Sequence, residues 1–459
     1  MARLVISEAD YARLFHHLFP GDGKEAAAIL VCGVTGAARD RLCVGSVIEV
    51  PYDDCSVRTA TRVTWPGDYL DRAVTAMDAI DGGVILIHSH PGGYFDFSSI
   101  DDASDALTIP CLQAGARNPA APIGSAVMVP DGRIKARLFT QTMTPTDIRQ
   151  LTAVGHDIRD LGKQLDERPL AFSAAMTADL ATKTACVIGI SGTGSIVAEL
   201  LGRLGVGRLV LIDFDRVEEK NLNRILYATP KDIGRFKTHV LRDAIKAHHP
   251  GVDIETFETP VSDASALIAL SGSDILFSCV DSMEGRYHCD LAVQTFICPM
   301  IDIGVVIPTR TLKDKVSVAD VCGRIDYVFP SGSTLWDRGE ITGAGLTAEY
   351  IRHNDPDAYA RQVAEGYLKG VPDEAPSVIS LNMRAASAGV NEWLARLYGF
   401  RHDANENYAR CHFSLASGEE EFESDETDAG RARVATFGQG LKRPLLGLLS
   451  SADDERHAA

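Results

Sequence analysis

Gly83-Val84-Ile85-Leu86-Ile87-His88-Ser89-His90-Pro91, followed by Ser98-Ser99-Ile100-Asp101, decides the reading of the first part of this chain. The apolar, β-branched run predicts a buried strand, and residues two apart in a strand project to the same side. His88 and His90 can therefore aim at one ion. Catalytic zinc typically takes three protein ligands and keeps a fourth position for water, and Asp101, returning after a Gly-Gly loop, can supply the third. Zinc brings bound water from a pKa of about 15.7 to roughly 7, so the expected site is hydrolytic.

With seven residues between His90 and Ser98 and two between Ser98 and Asp101, the pattern resembles the JAMM (JAB/MPN) metalloproteases, which cleave isopeptide or peptide bonds next to ubiquitin-like proteins. A His-x-His alone is more often structural; the added Pro91, Ser98 and Asp101 turn the reading toward a metal. The resemblance implies a Glu on an earlier strand as general base. Glu25, ahead of Ala26-Ala27-Ala28-Ile29-Leu30-Val31-Cys32-Gly33, fits that pattern, with Glu49 as the alternative. It also implies that Ser98 helps hold the tetrahedral oxyanion, although Ser98 equally suits the N-cap of a helix starting at Ser99.

The chain has 459 residues, enough for two or three domains. Lys and Arg number 45 against 63 Asp and Glu, a net charge of −18, which argues against a nucleic-acid partner and for basic protein surfaces. No apolar run approaches the roughly 18 residues of a membrane helix, so a cytoplasmic protein without a membrane role is expected. The 10 cysteines are scattered with no Cys-x-x-Cys pair, suggesting neither a disulfide framework nor a zinc ribbon.

Four regions are expected. Residues 1–142 suit an α/β metalloprotease domain. Residues 143–170 read as a helical linker, because Ile148, Leu151, Val154, Ile158 and Leu161 recur at three and four residues after Thr144-Pro145. A further domain spans 171–400, and 401–459 form an acidic, partly flexible tail containing the run Glu419–Glu426.

Within the third region, Thr184–Ile188 predicts a strand, Gly189-Ile190-Ser191-Gly192-Thr193-Gly194 a turn, and Ser195–Leu204 a helix. Glycines at such a turn admit a phosphate to the helix N-terminus, and the next strand, Arg208–Ile212, ends in Asp213-Phe214-Asp215, where a nucleotide ribose would lie. That much also fits a dinucleotide. Asn221-Leu222-Asn223-Arg224, Asp232–Lys237, Cys279-Val280-Asp281 and Ala375–Asn382, taken together, resemble the ThiF-like enzymes, which adenylate the C-terminus of ubiquitin-like and sulfur-carrier proteins.

The resemblance implies a Rossmann-like fold, with ATP and Mg²⁺ used. By position, Arg224 and Lys237 would contact phosphates, Asn221 would lie beside them, Asp281 would hold magnesium, and Arg168 would be a finger arginine. Neutralising several phosphate charges needs such cations and a carboxylate-held dication. Two departures stand out: Thr334 and Asp337 occupy positions where many relatives have Cys-x-x-Cys, and no Cys lies between Cys322 and Cys411, where a thioester cysteine is often kept.

The expectation is a two-site enzyme: a zinc peptidase that processes or deconjugates a ubiquitin-like protein, and an ATP-dependent domain that adenylates its C-terminal glycine. Implied partners are that protein, a conjugating enzyme and a second copy of this chain. Sulfur-carrier activation and a non-catalytic scaffold are the alternatives.

Overall fold

A computed structural model describes residues 2–312, 315–364, 378–425 and 433–448. The chain divides into two units, Met1–Arg168 with Gln294–Ile297 and Arg431–Ala459, and Pro169–Val293 with Cys298–Gly430. Both are α/β. Among the described residues no helix is long and apolar enough to cross a membrane.

The first unit is built on a nine-stranded sheet in the order Ile158–Asp160, Gln150–Val154, Arg3–Ser7, Arg41–Glu49, Ala27–Thr35, Gly83–Ser89, Ile123–Met128, Ile134–Phe139 and Pro145–Asp147. Ala27–Thr35 is buried along its whole length, as its unbroken run of small and aliphatic residues requires. One apolar cluster gathers Leu14, Leu18, Leu30, Ile85 and Leu151 on one set of positions, and another gathers Ile29, Met77, Val84 and Ile109. Alternate residues of each strand thus feed two cores.

The helical linker expected over 143–170 is not formed. Pro145–Asp147, Gln150–Val154 and Ile158–Asp160 are strands of the sheet, and Gln150–Val154 pairs parallel with Arg3–Ser7. Gly155 opens a turn whose N–H donates to the Asp157 carbonyl at 3.0 Å, so Val154 and Ile158 become directly opposed partners. A spacing of four arises here from a hairpin, and the periodicity cannot tell that from a helical turn.

The second unit carries an eight-stranded sheet in the order Asp253–Phe257, Arg208–Ile212, Thr184–Ile188, Ile275–Ser278, Met300–Val306, Cys322–Val328, Arg410–Ser414 and Glu419–Glu423. The first five strands are parallel and the last three antiparallel. Thr184–Ile188 lies at the centre of the parallel part, and the glycine turn after it opens at the carboxyl ends of the strands, where α/β sheets bind ligands.

The acidic run is not simply tail. Glu419–Glu423 is an exposed edge strand, matched by Arg410, His412 and Arg384, which lie 3.9–4.0 Å from its carboxylates. Charge along an edge keeps it from pairing with another chain. Glu426 lies outside the described residues. Residues 433–448 are folded as well: the Leu441 N–H donates to the Val34 carbonyl at 2.9 Å, and Arg433 pairs with buried Asp10 at 2.9 Å. A Cβ on Gly45 would come within 2.8 Å of the Gly438 carbonyl, so glycine permits that close approach.

Candidate active sites

Strand pairing brings the first site together. Ala27 faces His88 in the antiparallel pair, and just beyond it the Ser89 N–H donates to the Ala26 carbonyl at 3.0 Å while the buried Ser89 hydroxyl accepts from the Ala26 N–H at 2.9 Å. Glu25, ahead of its strand, is thereby held beside the histidines. His88 ends up in the strand and His90 just past its end, where the His90 N–H donates to the Met128 carbonyl at 2.8 Å.

The two Nε2 atoms are 3.0 Å apart; His88 Nε2 is 3.0 Å from Asp101 Oδ1, and His90 Nε2 is 3.4 Å from Asp101 Oδ2. Ligands of a tetrahedral ion bound at 2.0–2.1 Å stand roughly 3.3 Å from one another, so this donor set fits zinc. His90 Nδ1 donates to the Tyr94 carbonyl at 2.8 Å, which leaves Nε2 to face the cluster.

Charge is distributed accordingly. Burial pushes the Glu25 carboxyl up, with His88 and His90 partly opposing. Burial would also raise Asp101, yet hydrogen bonds from His88, His90 and the Ser98 N–H hold it well below the usual carboxylate range. For His90, burial favours the neutral ring and is outweighed by Asp101 and the Tyr94 carbonyl, which raise its pKa. Glu49 lies elsewhere, paired with Arg13 at 2.6 Å.

Ser98 caps the helix Ser99–Gly115: its hydroxyl accepts from the Asp101 N–H at 3.3 Å, and its own N–H donates to Asp101 Oδ2 at 2.6 Å. The capping box thus orients the third ligand candidate. Sequence reasoning missed what fixes the intervening loop. On strand Ile134–Phe139 and the residue before it, Arg133 stacks over Phe95 at 4.4 Å, Lys135 pairs with Asp96 at 2.7 Å, and Arg137 stacks over Phe97 at 3.7 Å. Arg137 also binds Asp102 at 2.7 Å and buried Asp105 at 2.6 Å on the capped helix. Alternating cations in one strand were the visible signal.

In the second unit the glycine turn forms as expected, with the helix Gly192–Leu204 starting slightly early. Gly189 has φ +87°, and a Cβ there would lie 2.7 Å from the Cys279 carbonyl. A Cβ on Gly194 would strike the Gly189 carbonyl, and one on Gly192 the Asn382 amide. Ser191 makes no side-chain capping bond to this helix. Of the segment Ala375–Asn382, residues 375–377 lie outside the described residues; Asn382, on helix Ile379–Tyr398, accepts from the Thr193 hydroxyl at 3.4 Å.

Asp213 is buried at the end of its strand, accepting from the Ile190 N–H at 2.6 Å and the Asp215 N–H at 2.7 Å. Burial raises its pKa and Lys237 opposes that. Lys237 Nζ binds Asp215 at 2.7 Å. Asn221 Oδ1 accepts from the Glu218 N–H at 3.1 Å and closes a one-turn cap. Among the described residues Arg224 makes one side-chain hydrogen bond, to the Lys220 carbonyl at 3.3 Å, and Asp281 is exposed between the strand Ile275–Ser278 and the helix Met283–Phe296. Arg168 closes the first segment of the first unit, its N–H donating to the Leu165 carbonyl at 3.4 Å. The Thr334–Asp337 turn is closed by hydrogen bonds, Asp337 Oδ2 accepting from the Thr334 N–H at 2.9 Å.

Residues 7–138 match the family of prokaryotic homologs of the JAB domain, and residues 165–312 match the ThiF family. The chain is a fusion of a JAB-like domain with a ThiF-family domain. Among curated proteins it is similar to ubiquitin-like modifier-activating enzyme 5 of Caenorhabditis elegans, 37% identical over 159 residues, covering 32% of this chain and 35% of that one. The Bombyx mori protein of the same name is 30% identical over 165 residues, covering 34% and 39%. The matched part spans little more than a third of these relatives. Among solved structures, Escherichia coli MccB with ATP aligns at a TM-score of 0.42 and 15% identity, over 56% of this chain and 68% of that one.

Proposed function

We propose that this chain serves one ubiquitin-like protein with two activities, a zinc-dependent peptidase that exposes or releases its C-terminal glycine and an ATP-dependent adenylation of that glycine. The convergence of His88, His90 and Asp101 beside Glu25, in a chain whose other unit matches the ThiF family, carries the reading.

His88, His90 and Asp101 would hold zinc, which when bound polarises the scissile carbonyl and activates water. Glu25 takes the proton of the attacking water and passes it to the leaving amine. Ser98 keeps its hydroxyl hydrogen for the developing oxyanion while accepting from the Asp101 N–H. In the other unit the C-terminal carboxylate attacks the α-phosphate of ATP and pyrophosphate leaves. Asp213 and Asp215 hold the ribose side of the nucleotide, the turn Gly189, Gly192 and Gly194 admits the phosphates, and Asn221, Arg224 and Lys237 surround them. Asp281 holds Mg²⁺. ATP replaces Asp215 as the partner of Lys237.

The test is mass spectrometry of small candidate proteins carrying a short extension after the C-terminal glycine. The extension should be lost without ATP, and the trimmed protein should then support pyrophosphate exchange into ATP. Candidates that are neither trimmed nor able to drive exchange would remove the proposal.

A further inference from the structure

We propose that Glu199, His248 and His249 form a second metal site, inside the ThiF-family unit, for a late first-row dication of the zinc class. Glu199 projects from helix Gly192–Leu204 and is 5% exposed; His248 is the last residue of helix Lys237–His248, and His249 is its C-cap. One ligand atom from each lies within 4.8 Å of the other two. Glutamate and imidazole are the donors such ions accept, and three ligands leave one position open.

The carboxylate is already divided in its duties. Oε1 accepts from the Tyr227 hydroxyl at 2.8 Å and from Arg203 Nε, and stands 3.1 Å from His248 Nε2. Oε2 also stands 3.1 Å from His248 Nε2, with no other bond described, close to the separation of two ligands on one tetrahedral ion. Tyr227 and Arg203 then act as the outer partners that orient a ligating carboxylate.

His249 supplies the independent observation. Its Nε2 is buried and has no hydrogen-bond partner among the described residues. A buried imidazole nitrogen left unpaired is costly, and ligation through Nε2 would satisfy it. The placement also has a structural consequence. Helix Gly192–Leu204 starts at the glycine turn, helix Lys237–His248 starts at Lys237, and Tyr227 follows Arg224 by three residues. An ion here fastens together three elements that carry the nucleotide-site candidates.

The experiment uses the full chain with His88→Ala and His90→Ala, so that the first site cannot contribute. Equilibrium dialysis against Zn²⁺ alone, with elemental analysis, should find one bound equivalent and a zinc-dependent rise in melting temperature. Adding His248→Gln and His249→Gln should remove both. Should the Gln pair fail to fold, judged by circular dichroism of metal-free protein, Glu199→Gln serves as the second variant with the same expected loss. No equivalent in the chain lacking His88 and His90, or an equivalent retained once the second set is substituted, overturns the proposal. Zinc at the first site is read from the complementary variant, His248→Gln with His249→Gln alone, so the two assignments fail separately.

Discussion

The two sites differ in what holds them. In the JAB-like unit the candidate ligands already touch one another, and the loop between His90 and Asp101 is gripped by Arg133, Lys135 and Arg137. In the ThiF-family unit the backbone is fixed, by the glycine turn and the bonds to Asp213, while the one side-chain hydrogen bond of Arg224 among the described residues is long and Asp281 is exposed. A site that binds a small ion can be finished in advance. In the other site Lys237 is held by Asp215 at 2.7 Å, a protein counterion that a phosphate can replace.

The largest effects should follow from breaking the finished site. His88→Ala should lose both bound zinc and cleavage, whereas Glu25→Gln should retain zinc and cut peptide at a rate lower by about 10²–10⁴-fold. Metal content and cleavage, measured on the same preparation, check the pair. Unchanged cleavage by Glu25→Gln would move the base to another residue. On the other side, Asp281→Ala and Lys237→Ala should each lower pyrophosphate exchange by about 10²–10³-fold while leaving zinc content unchanged.

The contrast extends to stability. Arg137 and Asp105 are an ion pair with both side chains 9% exposed, so removing the arginine leaves a buried carboxyl without its partner. Arg137→Ala should cost about 3–5 kcal/mol in denaturant unfolding and weaken zinc binding through the helix that carries Asp101. Arg224→Ala, by comparison, should change stability by no more than about 0.5 kcal/mol and still slow pyrophosphate exchange. If Arg224→Ala were the more destabilising of the two, the contrast between a finished and an open site would collapse.

How much of this was legible in the sequence follows the same division. His88, His90 and Asp101 are close in sequence, and strand periodicity plus a helix cap bring them together, so their spacing alone announced the cluster. Glu25 is distant in sequence, and only the pairing register of Ala27 with His88 explains its place. The clamp by Arg137 showed in the sequence only as alternating cations, because nothing local links residue 137 to residues 97, 102 and 105. In the other unit the strands Thr184–Ile188 and Arg208–Ile212 stand where their apolar runs placed them. The region 143–170 misled because a hairpin reproduced helical spacing, and Glu419–Glu423 misled because its counter-charges lie on a neighbouring strand and helix.

A smaller effect is expected from Asp290, which is buried on helix Met283–Phe296 and accepts from the Leu335 N–H at 3.1 Å. Burial pushes its carboxyl up to about 7. The folded state therefore binds a proton more tightly than the unfolded chain; this contribution is complete below about pH 4 and is lost as pH rises toward 7. Asp290→Asn should flatten the fall in melting temperature across that window. An unchanged pH profile would mean that Asp290 stays ionised when folded.

The smallest effect is predicted for Cys322→Ala, which should leave turnover unchanged. A thioester needs a thiolate near the adenylate, in an accessible and preferably electropositive place. Cys322 is half-buried in its strand, and burial together with the adjacent Asp320 carboxylate pushes its thiol up. Burial also holds Cys289 and Cys411 at about 12 and lifts Cys186 and Cys279 well above the usual range. Such thiols are protonated at neutral pH. The acyl-adenylate should then pass directly to an external thiol or amine, and incubation with ATP and the ubiquitin-like protein should give no reductant-sensitive adduct on non-reducing gels. An adduct that vanishes in Cys322→Ala would make this chain carry the acyl group itself, and the open site would then include a nucleophile.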